Sequence, residues 1–245
     1  MTDIRTFDDR QSLAQGAAGF IAGLAEHALS ARGRFSVALA GGSTPRDTYA
    51  LLAQPPLLDR IDWSRTLIFF GDERAVPPDH EDSNYRMAHE VLLSRVPLPE
   101  ENIQRMHAER NDLDAAAREY EAALRSLLGP PAGAPPRLDL VLLGIGPDGH
   151  TASIFPGTEN QTRGPQLVTR IQRPQTREFR LTLTLPILNA ASNVAFLISG
   201  ASKASIVRSV LSGQRGADLL PASRIMPESG QLTYLLDQAA ASSLA

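Results

Sequence analysis

The chain has 245 residues, with 24 Lys and Arg against 27 Asp and Glu for a formal net charge of -3, and it contains no cysteine. That balance gives no global electrostatic reason to bind nucleic acid or an anionic membrane, and the missing thiols exclude disulfides, thiolate nucleophiles and Cys-ligated zinc. The start Met1-Thr-Asp-Ile-Arg lacks the apolar core of a signal peptide and no apolar run approaches bilayer length, so a cytoplasmic protein with a small-molecule partner is expected.

Strand-like and helix-like segments alternate along the chain, the pattern of an open, mostly parallel, doubly wound α/β sheet with helices on both faces. With no sharp break in composition, residues 1–245 are read as a single domain. Asp8 is placed as the cap of a first helix carrying Leu13, Ala17, Phe20, Ile21, Leu24 and Ala28 on one face and ending at Gly33. Phe35 to Ala40 is the first clear strand. It runs into Gly41-Gly42-Ser43-Thr44-Pro45 and a helix through Leu52, with Pro45 expected at the first helical position. Arg65 to Phe70 reads as the next strand, and Asn84 to Leu93 as a helix capped by Ser83. A short strand near Ile103 precedes a helix from Asp112 with Leu113, Ala117, Tyr120, Leu124 and Leu127 in register. The proline-rich stretch Gly129 to Pro136 is a stiff surface connection. A buried strand then runs from Asp139 into the turn Gly144-Ile-Gly146-Pro-Asp148-Gly149-His150. The segment from Pro156 to Phe179 reads as irregular and basic, with Arg163, Arg170, Arg173 and Arg177, either a solvated loop or a flap over an anionic substrate. Arg180 to Leu185, Asn193 to Ser199 and Gln231 to Leu236 complete the strands, and Ala201 to Leu211 is a helix between the last two.

Ligands of such sheets bind beyond the carboxyl ends of the strands, and several of these ends carry chemistry. The Gly41 to Pro45 turn has the form of a phosphate cradle, where backbone N–H groups at a helix start face an anion, although a capped turn without ligand has the same residues. Asp72, Glu73 and Arg74 crowd the end of a second strand, and are either solvated or working. Lys203 follows Gly200 in the first turn of a helix, where the helix dipole disfavours a cation unless an anion is also present. His150 lies two residues from Asp148 on a glycine-flanked turn, the company of a general base whose ring a carboxylate orients. No second His or carboxylate stands at ligand spacing from His150, so no metal is expected. Gly144 to Gly149 also matches G-x-G-x-x-G, but Asp148 would face the pyrophosphate and no acid follows near Val168 to Arg170 to hold a ribose, so the dinucleotide reading is rejected.

Ala40-Gly-Gly-Ser-Thr-Pro45, Gly71-Asp-Glu-Arg74, Asp82-Ser-Asn84, the run Gly144 to Gly157, Arg180-Leu-Thr-Leu-Thr184 and Gly200-Ala-Ser-Lys203 together resemble the 6-phosphogluconolactonases, in that family's order and over nearly the whole chain. The resemblance implies a glucosamine-6-phosphate deaminase-like fold and cofactor-free hydrolysis of 6-phospho-D-glucono-1,5-lactone to 6-phosphogluconate in the oxidative pentose phosphate pathway. The alternatives are the deaminase/isomerase, whose pattern has a Glu five residues after the His where this chain has Phe155, and a non-catalytic sugar-phosphate sensor, which would lose the Asp148/His150 pair. Tyr234 stands where the family usually has Trp, a change ascribed to packing. The stretch from Gln172 to Phe179 is less proline-rich than the family pattern, which bears on substrate selectivity.

On that resemblance Gly42, Ser43, Thr44, Arg74 and Lys203 hold the 6-phosphate. His150 takes a proton from water and returns it to the ring oxygen, Asp148 positions His150, and no cofactor is used. The oxyanion donor is left open between turn amides near Gly146 and a cation such as Arg74, and Arg180 is either a helper there or, as the first reading, an ordinary strand-start arginine. A monomer is expected.

Overall fold

The computed structural model describes residues 2–129, 134–174, 176, 178–212 and 220–244. Its central layer is a parallel sheet in the order β1 (Thr2–Phe7), β9 (Gln231–Asp237), β8 (Asn193–Ile198), β5 (Leu140–Leu143), β2 (Phe35–Leu39) and β3 (Thr66–Phe70). The inner strands are continuous apolar runs because both of their faces are covered. Alternate residues serve different cores. Ala38, Val141, Phe196 and Leu236 belong to one cluster, with α4 (Leu113–Leu128), α5 (Leu185–Ala190) and α6 (Ala204–Leu211). Val37, Leu142, Ala195 and Leu235 belong to the other, with α1 (Arg10–Arg32) and α2 (Ser43–Leu52). The doubly wound expectation holds.

Several boundaries move. Asp9, not Asp8, caps α1: its carboxylate accepts from the Ser12 N–H while the Ser12 hydroxyl accepts from the Asp9 N–H, a reciprocal capping box. Helix α2 begins at Ser43 behind Gly42, so Pro45 sits in the third helical position and is buried. The helix after Ser83 is α-helical only over α3 (Asn84–Ala88) and continues as a π-helical turn through Leu93. Near Ile103 there is a single bridge to Ile68 in place of a strand. Residues 130–133 of the proline-rich connection lie outside the described residues.

The segment from Pro156 to Phe179 is not irregular throughout. It contains β6 (Val168–Gln172), which pairs antiparallel with β7 (Phe179–Leu183), and β7 pairs in turn with β4 (Asp72–Arg74). This second, three-stranded sheet is tied to the end of β3 by the Leu183 N–H, which donates to the Gly71 carbonyl at 2.8 Å. Of the four arginines named in this segment, Arg163 is exposed, Arg170 pairs with Asp114 at 2.9 Å, Arg173 faces Glu178, and Arg177 lies outside the described residues.

Candidate functional site

Strand β2 leads outward to β3, whereas its other neighbour β5 leads the opposite way to β8 and β9. The chain therefore reverses its winding between β2 and β5, and the turns leaving these two strands diverge to open a crevice. A cavity of about 250 Å³ occupies it. Its wall includes Gly41 and Gly42 beyond β2, Asp72 and Arg74 beyond β3, Gly144, Gly146 and His150 beyond β5, Lys203 beyond β8, and Asn84 and Arg180 from the side.

Buried tyrosines hold two of these strand ends. The Tyr49 hydroxyl accepts from the Ala40 N–H at 2.9 Å and donates to the Ala40 carbonyl at 3.0 Å, and Tyr120 treats Phe70 the same way at 2.7 and 3.2 Å. Each hydroxyl pairs a backbone unit where the ladder stops, a place where an unpaired buried group costs about 1–3 kcal/mol. Gly41 is required by close approach, because a Cβ there would lie 1.8 Å from Asn84 Oδ1. Asn84 also donates to the Asp72 carbonyl and carboxylate at 2.9 and 3.1 Å, and the Ser153 hydroxyl donates to the same carboxylate. Glu73 points away from the cavity. Its carboxylate accepts the backbone N–H groups of Arg74, Asn84 and Tyr85, all at 2.8 Å, so it is structural.

The turn after β5 closes on itself: the Gly146 N–H donates to the His150 carbonyl at 2.9 Å, and the Gly149 N–H, at φ 80°, donates to the Gly146 carbonyl at 3.0 Å. His150 Nδ1 lies 2.5 Å from Asp148 Oδ1, which also accepts the His150 backbone N–H at 3.2 Å. Burial would raise the Asp148 carboxyl, but the hydrogen bonds from the His150 ring and backbone outweigh it and hold the group below its ordinary value. With the carboxylate ionised, Nδ1 is the donor, and the neutral ring presents Nε2 as an acceptor. Gly146 makes room for this pair, since a Cβ there would meet His150 Nδ1 at 2.0 Å and Asp148 Oδ1 at 2.7 Å. Behind the imidazole lies fully buried Phe155, with ring centroids 4.8 Å apart.

Lys203 reaches the cavity from a turn anchored by Asp237. That carboxylate accepts from the Gly200 N–H at 3.0 Å and from the Ser199 hydroxyl, and caps α7 (Gln238–Ala241) through the Ala240 N–H at 2.7 Å. Lys203 Nζ donates to the Ile145 carbonyl at 2.9 Å, which ties this turn to the one carrying His150 and leaves two ammonium protons for another acceptor.

Of the residues singled out in the sequence, Gly42, Arg74, His150 and Lys203 line one cavity, with Asp148 hydrogen-bonded to His150. Ser43 and Thr44 stand outside the lining; Ser43 is exposed, and its carbonyl accepts from Arg10 at 3.0 Å. Arg180 is no ordinary strand-start arginine: it is 8 % exposed, faces the cavity, and lies opposite Arg74 in the β4–β7 ladder. Asp72, which the sequence left open between a solvated and a working residue, lines the cavity, and so does Asn84, to which no role was assigned from sequence. Strand alternation could have exposed Arg180, which shares a face with buried Thr182. Among the described residues no group of three or more His, Asp or Glu side chains is arranged to hold a metal ion.

A strand-end cavity at a winding reversal, lined by glycine turns, cations and a carboxylate-paired imidazole, defines an α/β protein built to take a small anion. The family model described as glucosamine-6-phosphate isomerases/6-phosphogluconolactonase matches residues 8–234, and the chain belongs to that family. A 6-phosphogluconolactonase of Synechocystis is 41 % identical over 217 residues, covering 89 % of this chain and 88 % of its own. A probable chloroplastic 6-phosphogluconolactonase 4 of Oryza sativa subsp. indica is 38 % identical over 250 residues, covering 99 % and 76 %. The 6-phosphogluconolactonase structure from Trypanosoma brucei superposes with a TM-score of 0.88 at 33 % identity, covering 100 % of this chain and 99 % of the other.

Proposed function

We propose that this chain hydrolyses 6-phospho-D-glucono-1,5-lactone to 6-phosphogluconate, with His150 as general base and water as nucleophile. The reading is supported by the 6-phosphogluconolactonases among its relatives. The observation that carries it is the 2.5 Å contact between His150 Nδ1 and Asp148 on the wall of a cavity that also holds Lys203 and Arg74. The substrate phosphate is held by the Gly42 turn with Lys203 and Arg74, which keeps C1 of the ring near the imidazole. The first-turn amides of α2 can serve this end even though the Ser43 and Thr44 side chains lie outside the wall. His150 Nε2 accepts a proton as water attacks C1, and the carbonyl becomes a tetrahedral oxyanion. As that intermediate collapses, the bond from C1 to the ring oxygen breaks and His150 returns the proton to that oxygen. A lactone is an activated ester, so no covalent nucleophile and no cofactor are required.

The reaction belongs to the oxidative pentose phosphate pathway, and we place the protein in the cytoplasm, although the rice relative is named as chloroplastic. Among the described residues no helix is long and apolar enough to cross a membrane. Against the deaminase reading stands Phe155, fully buried behind the imidazole where that chemistry needs an acid. Against a sensor stands the retained Asp148/His150 pair. A pH-stat titration separates the three: this account expects acid release from fresh phospholactone above the spontaneous rate and no ammonia from glucosamine 6-phosphate. Ammonia release, or acid release at the spontaneous rate, contradicts it.

A further inference from the structure

Arg74 and Arg180 are directly opposed in the antiparallel ladder between β4 and β7. Like charges in such a pair repel, and they share one face of the sheet. A third guanidinium joins them. Ile171 pairs with Arg180 from β6, and Arg173, two residues further on, lies on the same side as Ile171 by strand alternation. Arg173 and Arg180 both stand over the Phe155 ring, at 5.9 and 5.5 Å from its centroid.

These three charges are poorly compensated. The Nε groups of Arg74, Arg173 and Arg180 are all buried without a hydrogen-bond partner. Glu178 approaches Arg173 at 3.8 Å and Arg180 at 3.7 Å, beyond hydrogen-bonding distance, and its side chain is 59 % exposed. Asp72 stands 3.9 Å from Arg180, and Arg74 spends one terminal nitrogen on the Asp82 carbonyl. Burial, with Arg74 and Arg173 nearby, lowers the Arg180 pKa against the pull of Asp72 and Glu178. A second cavity of about 330 Å³ opens on this cluster, lined by Arg74, Arg173, Glu178, Phe179 and Arg180 among others. It adjoins the first cavity through Arg74 and Arg180.

We propose that this annex is a second anion site, which takes a phosphate dianion between Arg173 and Arg180 and displaces the Glu178 carboxylate toward solvent. Guanidinium forks match phosphate oxygens, and three clustered guanidiniums, each with an Nε–H that has no acceptor and all lining one cavity, leave positive charge that such an anion offsets. The site borders the substrate phosphate position at Arg74, which lines both cavities, but it is centred on Arg173 and Glu178, which line only the second, and it lies away from the Gly42 and Lys203 end.

Calorimetric titration of the whole chain with inorganic phosphate tests this without reference to turnover. The wild type should bind two phosphates. Arg173→Ala should lose one while keeping kcat and KM for the lactone within about twofold, and Lys203→Ala should lose the other. Glu178→Gln removes the competing carboxylate and should tighten the annex several-fold, an opposite change that also guards against a misfolded Arg173→Ala. A single phosphate in the wild type, an Arg173→Ala isotherm identical to it, unaltered affinity in Glu178→Gln, or a KM for the lactone raised tenfold by Arg173→Ala would each overturn the proposal.

Discussion

At the scale of single residues, Asp148 decides which nitrogen of His150 is left free. Its carboxylate can only accept from Nδ1, which leaves Nε2 free to take a proton from water in the proposed mechanism. An amide in its place can donate as well as accept and admits the other tautomer. Asp148→Asn should therefore lower kcat by roughly 10²–10⁴ with KM little changed, by analogy with triads in which the orienting carboxylate is lost. Steady-state kinetics check this, and a kcat within threefold of wild type removes Asp148 from the mechanism. The cations divide from this pair by role. Lys203→Ala and Arg74→Ala should chiefly raise KM, and unaltered affinity for 6-phosphogluconate in both would remove the phosphate assignment. Arg180 shows where a sequence falls short. Its neighbours Phe179 and Leu181 make it look like the polar opening of a strand, and only the pairing of β7 with β4 brings it beside Arg74 and over the cavity.

At the scale of elements, the site depends on turns whose shape leaves no room for side chains. A Cβ on Gly146 would lie 2.0 Å from His150 Nδ1, so Gly146→Ala must push the imidazole or break the turn. It should cut kcat at least about tenfold while sparing phosphate affinity, because small misplacements of a catalytic group cost this much or more; unchanged turnover would mean that the turn adjusts freely. Asp237 anchors the Lys203 turn and caps α7, and its hydrogen bonds with Ser199, Gly200 and Ala240 outweigh the upward push of burial and depress its pKa below 3.8. A depressed carboxyl contributes stability that is complete above the ordinary value and fades as pH falls through the folded-state value. Asp237→Ala should thus lose about 1–3 kcal/mol in urea unfolding at neutral pH, and the deficit should narrow in acid, below the ordinary carboxyl range. An equal deficit at both pH values would show that charge plays no part. The inner strands and α1, α2, α4 and α6 were legible because their apolar periodicity is strong. Strand β1 was not, since Thr2 to Phe7 is mostly exposed and polar and gains its place by pairing with β9 and by packing Phe7 against the core. Strand β6 was hidden for a similar reason, because its two buried residues, Val168 and Ile171, stand three apart among Thr169, Arg170 and Gln172 and show no clean alternation in a run that reads as a charged loop.

At the scale of the whole molecule, the charge distribution matters more than its sum. The chain carries a formal charge of -3, yet Arg74, Arg180 and Lys203 converge on one cavity, a local positive field suited to drawing in a phosphate ester. The sheet order explains how they meet: β4 and β7 bring the arginines from the side, β8 delivers Lys203, and the winding reversal between β2 and β5 opens the space between them. The Gly41 to Pro45 turn and the His150 turn were visible in sequence because glycines and prolines mark them, whereas the second sheet that completes the cavity depends on contacts between distant segments. The most direct test is the rate of phospholactone hydrolysis above the spontaneous background for wild type and His150→Ala, with matching circular dichroism spectra. The account predicts a kcat lowered about 10²–10⁴-fold with KM nearly unchanged, the worth of a general base; a His150→Ala protein that turns over at the wild-type rate would contradict it.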